Sequence, residues 1–326
     1  MPSHRIVTRK WVPLAVLMIW PLLAGASCGK KSSSDPAPSA DPAEILKAAD
    51  AAHKGSGAGT GSAASPAVKV DTTPLAGVDL GKLTDEKKNT FYKLVDSLPS
   101  PCGKAHSLRT SYNDDKSCKR APFAVRYVAA LLEDEASEDQ IKEEFDIHYK
   151  PGKTYQFKLD GVPFVGKPES KIKLVEFYDY GCPACREFKP MMDQIIKDHG
   201  GQIVVYYKMF PLVHRHPNSM SAAKAAIAAL AQGKFHEMHD MLFAKDPDDH
   251  TRDGVMDMAK ELGLDMAKFT TDYDAAEPRV KADMDEGDAS DVDSTPTLFF
   301  QGRPYKGPMH PRYIGMWIDE ESVVNP

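Results

Sequence analysis

Two cysteines stand three positions apart at the end of LVEFYDYGCPACR, residues 174–186, and their place in the chain decides what they can do. The run KIKLVEFYDY reads as a buried strand and PACREFKPMMDQIIKDHG as the helix after it, with Phe188, Met191, Met192 and Ile195 on one side. Cys182 therefore falls where a strand ends and a helix begins. Unpaired backbone N–H groups and the helix dipole favour an anion at that point, which makes Cys182 a thiolate nucleophile. A free cysteine with a pKa near 8.5 is only about 3% ionised at pH 7, whereas one near 5 is almost wholly ionised. Cys185 follows one helical turn later, under the first, where it can resolve a mixed disulfide. Pro183 suits the first helical turn because it has no N–H to lose. The alternatives are a metal clip and a structural staple. Zinc needs four ligands, and the chain holds no second Cys-x-x-Cys.

Glu176 precedes Cys182 on the same strand. Period-two alternation puts Leu174, Glu176 and Tyr178 on one face and Val175 and Phe177 on the other. Burial would raise the Glu176 pKa and let it act as acid or base near neutral pH; a solvated place on a sheet edge is the other reading. Four histidines, 214, 216, 236 and 239, form no zincin pattern and read as surface or helix-packing residues. No metal is expected. The Met-rich helices read as core filling, with a Met-lined peptide groove as the alternative.

The remaining cysteines divide by place. His4, Arg5, Arg9 and Lys10 precede WVPLAVLMIWPLLAGAS, a charged segment followed by a short apolar one, so residues 1–27 read as an export signal rather than an uncleaved anchor. LLAGASC resembles a bacterial lipoprotein lipobox, with Gly25 where such families usually carry Leu, so Cys28 is the expected lipidation site; ordinary cleavage nearby, leaving an odd thiol, is the alternative. Five cysteines less Cys28 leave two pairs, Cys102 with Cys118 and Cys182 with Cys185, suited to an oxidising compartment. A Cys102–Cys118 bridge would contribute about 3 kcal/mol as a structural disulfide. The alternative is a second redox-active pair exchanging with Cys182.

Residues 28–78 are dominated by Ala, Gly, Ser, Pro and Asp and read as a disordered linker. Residues 79–150 read as a small module of two or three helices, one capped by Thr84 and one opened by Ser137 and Gln140. From 151 the pattern becomes mixed: TYQFKL as a strand, the strand and helix around the cysteines, QIVVYYKMF as a strand parallel to the first, helices over about 213–292, the hairpin TPTLFF with RPYKG, and a closing helix HPRYIGMWIDEE. A net charge of −6 and the lack of a basic run set nucleic acid aside.

The order of these elements, with LVEFYDYGCPACREF at 174–188, FPL then HP at 210–217, AAKAAIAALAQGKFHEMHDMLF at 222–243 and STPTLFFQG at 294–302, resembles the DsbA-like thiol-disulfide oxidoreductases. The resemblance implies an α/β thioredoxin fold with an inserted helical subdomain over 151–326, here preceded by the helical module and linker. It implies that Glu176 assists proton transfer beneath the active pair. It also implies that Pro296 is a cis-proline facing the cysteines, with Thr295 offering backbone groups to an extended substrate. Thiol-disulfide exchange with exported proteins is then expected, without a dissociable cofactor, with a membrane redox partner and on the periplasmic side of a bacterial envelope. Oxidase is favoured over reductase or isomerase, such as one supporting cytochrome c maturation. A non-catalytic binding lipoprotein on the same scaffold is the reading from a different class.

Overall fold

The computed structural model describes residues 70–325. The expected export signal, Cys28 and the linker up to residue 69 lie outside them. Four helices open the described part: α1 (Asp85–Ser97), α2 (Leu108–Asn113), α3 (Ala121–Glu133) and α4 (Glu138–Tyr149). Thr84 caps α1 by accepting from Lys87 N–H, and Ser137 with Gln140 closes a full capping box on α4. The short helix α2, capped by Ser107, carries too few turns to show a period in sequence. Helix α3 is apolar nearly all round and is buried on most sides, so it forms the centre of the module. Cys102 and Cys118 are joined in a disulfide that ties the segment before α2 to the segment before α3.

Residues 70–78, assigned to the linker from composition, are instead seated on the module. Leu75 is buried, and the Arg109 guanidinium donates to the carbonyls of Asp71 and Thr73. One buried leucine and an arginine fork hold a segment whose average composition reads as unstructured.

A five-stranded sheet follows in the order β1-β3-β2-β4-β5. Its strands are β1 (Phe164–Gly166), β2 (Ile172–Tyr178), β3 (Ile203–Met209), β4 (Thr297–Phe300) and β5 (Arg303–Pro304). Helix α5 (Pro183–His199) connects β2 to β3 as a crossover, which makes that pair parallel; β4 pairs antiparallel with β2 on its other side, and β5 returns antiparallel to β4 as a hairpin. TYQFKL is not a strand. In residues 154–159, Tyr155, Phe157 and Leu159 pack on the sheet and Tyr155 N–H donates to the Gly302 carbonyl of the hairpin, but no ladder forms. The first strand is β1, antiparallel to β3.

Between β3 and β4 the insertion consists of α6 (Ser219–Leu230), α7 (Phe235–Ala244), α8 (Arg252–Glu261), α9 (Met266–Ala275) and α10 (Glu277–Asp288). Helix α6 is lined with alanines that are fully buried, which lets its neighbours approach closely. Met209, Met238 and Met258 are in the core, with Met220, Met241, Met256 and Met266 packed against it, so the methionines fill the interior rather than line a groove. Helix α11 (Pro311–Val324) closes the chain with two faces: Ile314, Trp317 and Ile318 enter the core beside the sheet, while Tyr313 and Met316 enter that of the module.

Candidate active site around Cys182 and Cys185

Strand β2 delivers the chain to the turn Asp179–Cys182, and Cys182 is the N-cap residue of α5 with Pro183 in the first turn. A helix N-terminus leaves backbone donors without helical partners. Both cysteines are free and buried. The Cys182 pKa is lowered from 9.0 to about 5, first by the hydrogen bond with the Cys185 thiol, against the cost of burial, and then by the Thr295 side chain and the N–H groups of Cys185 and Ala184. Burial, together with the charge beside it, pushes the Cys185 thiol well above the ordinary range. Its Sγ also accepts from Asp179 N–H at 3.5 Å. The two sulfurs of one short segment are thus held as thiolate and thiol.

The Thr295–Pro296 peptide is cis, and Cys182 Sγ lies 3.2 Å from the Thr295 carbonyl oxygen, to which its protonated form donates. Residues more than a hundred positions apart therefore meet at one sulfur. Glu176 is 5% exposed, and burial pushes its carboxyl from 4.5 up to about 8; the Lys189 ammonium opposes this and Asp193 adds to it. Leu174 and Tyr178, its neighbours on that face of β2, belong to the same core cluster as both cysteines, whereas Val175 and Phe177 belong to the cluster on the other face.

Asp179, His216 and Ser219 also shape the site, and their roles carry no local signal in the sequence. The buried Asp179 carboxylate accepts from Gly181 N–H at 2.8 Å and from the Ser219 hydroxyl through one oxygen. Through the other it accepts from Leu212 N–H at 2.8 Å and pairs with His216 Nδ1 at 2.7 Å. It pins the cysteine turn to the start of the helical insertion. His216 is therefore a partner of the active-site turn rather than a surface residue. His239 is buried, hydrogen-bonded to the Tyr180 hydroxyl at 3.0 Å, and desolvation holds it well below the usual imidazole range. Among the described residues no group of three or more His, Cys, Asp or Glu side chains could hold a metal ion. Cys102 and Cys118, with Cα atoms 5.7 Å apart, belong to the helical module. The expected lipid site, Cys28, lies outside the described residues.

The sequence model of the Thioredoxin family matches residues 158–320, half of the chain. Among curated proteins the chain is similar to the Na(+)/H(+) antiporter NhaA 1 of Mycobacterium sp. (strain KMS), 36% identical over 147 residues, which cover 44% of this chain and 24% of that protein. The chain thus spans about a quarter of the length of that curated relative. Among solved structures it is similar to a thioredoxin-like oxidoreductase from Silicibacter pomeroyi, at 26% identity and a TM-score of 0.43, covering 49% of this chain and 91% of that one. BdbD from Bacillus subtilis is 24% identical with a TM-score of 0.47, covering 52% of this chain and 97% of that one. With a matching family model over the strands, the cysteine turn and the cis-proline, the chain belongs to the thioredoxin family.

Proposed function

We propose that the chain is an exported protein thiol-disulfide oxidoreductase, held at the envelope through Cys28, and that donation of disulfides is its favoured direction. One observation carries the reading: two cysteines of the same chemistry are held in opposite protonation states at a helix N-terminus beside a cis-proline. In the donating direction, a substrate thiolate attacks Cys182 Sγ of the oxidised pair. The Cys182–Cys185 bond breaks, and Cys185 leaves and takes a proton. A second substrate thiolate then attacks the substrate sulfur of the mixed disulfide and releases Cys182 as thiolate. The substrate gains a disulfide and loses two electrons to the cysteine pair, and a membrane redox partner would take them up.

Two features support that direction. At pH 7 a carboxyl with a pKa of about 8 is about nine-tenths protonated, so Glu176 is poised to give a proton to the leaving Cys185 rather than to remove one. Lowering Cys182 to about 5 stabilises the reduced pair at pH 7, which makes the couple more oxidising. The rise in Cys185 adds nothing there, because that thiol is protonated at pH 7 in either environment. Antiport is not carried over from the curated relative, since the match covers 24% of it.

The reduction potential of Cys182/Cys185, measured against glutathione with a Cys102→Ala/Cys118→Ala control, is expected above about −150 mV; a value below about −230 mV would reverse the direction. A Cys185→Ser variant should accumulate mixed disulfides with exported proteins through Cys182. Failure to trap any would overturn exchange itself.

A further inference from the structure

The helical module contributes to a cavity that starts at the cis-proline. Pro296 lines a cavity of about 670 Å³ together with Asp146, Ile147 and Lys150 of the module and with Lys306 and Met309 of the segment before α11. Asp146, Ile147 and Lys150 precede residue 158, where the family match begins, so they lie outside the matched thioredoxin segment. Ile147 is also superfluous to the module's interior. The buried residues of α4 are Ile141, Phe145 and His148, while Ile147 stays partly exposed on the cavity.

We propose that the module is a substrate-selecting wall: the cavity from Pro296 to Asp146, Ile147 and Lys150 holds the extended segment of a polypeptide whose cysteine is joined to Cys182. The proposal rests on the exchange reading above. Continuity with the reacting sulfur identifies the occupant. Pro296 follows Thr295, whose carbonyl contacts Cys182 Sγ, so a chain bonded to that sulfur reaches the cavity within its next few residues. The lining mixes three carboxylates, three ammonium groups and the Arg303 guanidinium with the apolar ends of Ile147 and Met309. That mixture fits a main chain bearing varied side chains better than an anion or a lipid, and the volume lies within the range of about 300–1,000 Å³ typical of ligand sites.

The test compares two disulfides as oxidants of the reduced protein: oxidised glutathione, and the disulfide-linked dimer of a single-cysteine peptide about a dozen residues long. In each case Cys182 thiolate attacks the probe disulfide and releases one probe thiolate; Cys185 then displaces the second, and the cysteine pair loses the two electrons the probe gains. Ile147→Glu and Lys150→Ala should each leave the glutathione rate unchanged while the peptide rate of Ile147→Glu falls about tenfold, with a smaller fall for Lys150→Ala. An unchanged peptide rate in both variants overturns the proposal, as does an equal loss with both probes. Rates for the unmodified protein that fall with its own concentration, while those of Ile147→Glu do not, would assign the cavity to a second copy and overturn it too. An unmodified protein inert toward both probes would instead defeat the exchange reading on which the cavity depends.

Discussion

Burial acts on Cys185 and Glu176 through one rule, favouring the neutral form, whereas Cys182 escapes it because hydrogen-bond donors converge on its sulfur. The consequence for stability has opposite sign at the two ends of the site. Cys182, depressed on folding, stabilises the reduced protein at high pH, and that contribution is lost as pH falls through about 5. Glu176 is raised, so its contribution is complete below about pH 4.5 and is lost as pH rises through about 8. Integrated between pH 5 and pH 8, the Glu176 loss is about 3 kcal/mol. The measurement is urea unfolding with the cysteine pair oxidised, so that Cys182 does not titrate. The unmodified protein should lose about 3 kcal/mol more than Glu176→Gln across that range. Parallel profiles would mean that Glu176 is not held protonated. The alternation around Glu176 and the strand-to-helix place of Cys182 were visible in sequence, because strand and helix periods are local. Asp179 was not, because its partners Leu212, His216 and Ser219 lie in the segment before and at the start of α6, far along the chain.

The turn between β2 and α5 sets how the cysteines are presented, and its geometry depends on an absent side chain. A Cβ on Gly181 would lie 2.6 Å from Ser219 Oγ and 2.7 Å from His216 Cβ, closer than real Cβ atoms come. Gly302 plays a comparable part in the β4–β5 turn: its φ is +81°, and a Cβ there would meet the Tyr155 carbonyl at 2.0 Å. Gly181→Ala is therefore expected to cost about 1–3 kcal/mol and to move the helix N-terminus away from its donors, raising the Cys182 pKa. Denaturant midpoints report the first effect, and thiolate absorbance against pH reports the second. A variant matching the unmodified protein in both would show that the turn has room. The stretch 154–159 is where local pattern stops predicting structure at this scale. Tyr155, Phe157 and Leu159 alternate along it and pack on the sheet, but alternation reports burial of a face and not the ladder partner that makes a strand, so the strand expected at TYQFKL does not form.

Helix α11 links the module to the sheet, and its polar contacts make the joint exacting. Glu320 is 1% exposed and accepts from Arg120, from His148 at 3.2 Å and from the Tyr149 hydroxyl at 3.0 Å; Arg120 also reaches Glu321 at 3.1 Å. Arg312 extends the joint with hydrogen bonds to Glu133 and Asp134. These pairs couple positions nearly two hundred residues apart. The sequence showed a helical module and a closing helix but gave no sign that they share a core, since neither composition nor period records a partner so distant. Removing one member of a buried ion pair leaves its partner charged and unmatched, at a cost of about 3–5 kcal/mol. Arg120→Ala should therefore lower the melting temperature by several degrees, while Lys88→Ala, which breaks an exposed pair on α1, should leave it nearly unchanged. Because α11 contributes to both cores, the module and the sheet of the unmodified protein should melt in one calorimetric transition. Two transitions in the unmodified protein would mean that each core stands without the other, and an Arg120→Ala protein melting with the original would mean that apolar packing alone holds the joint.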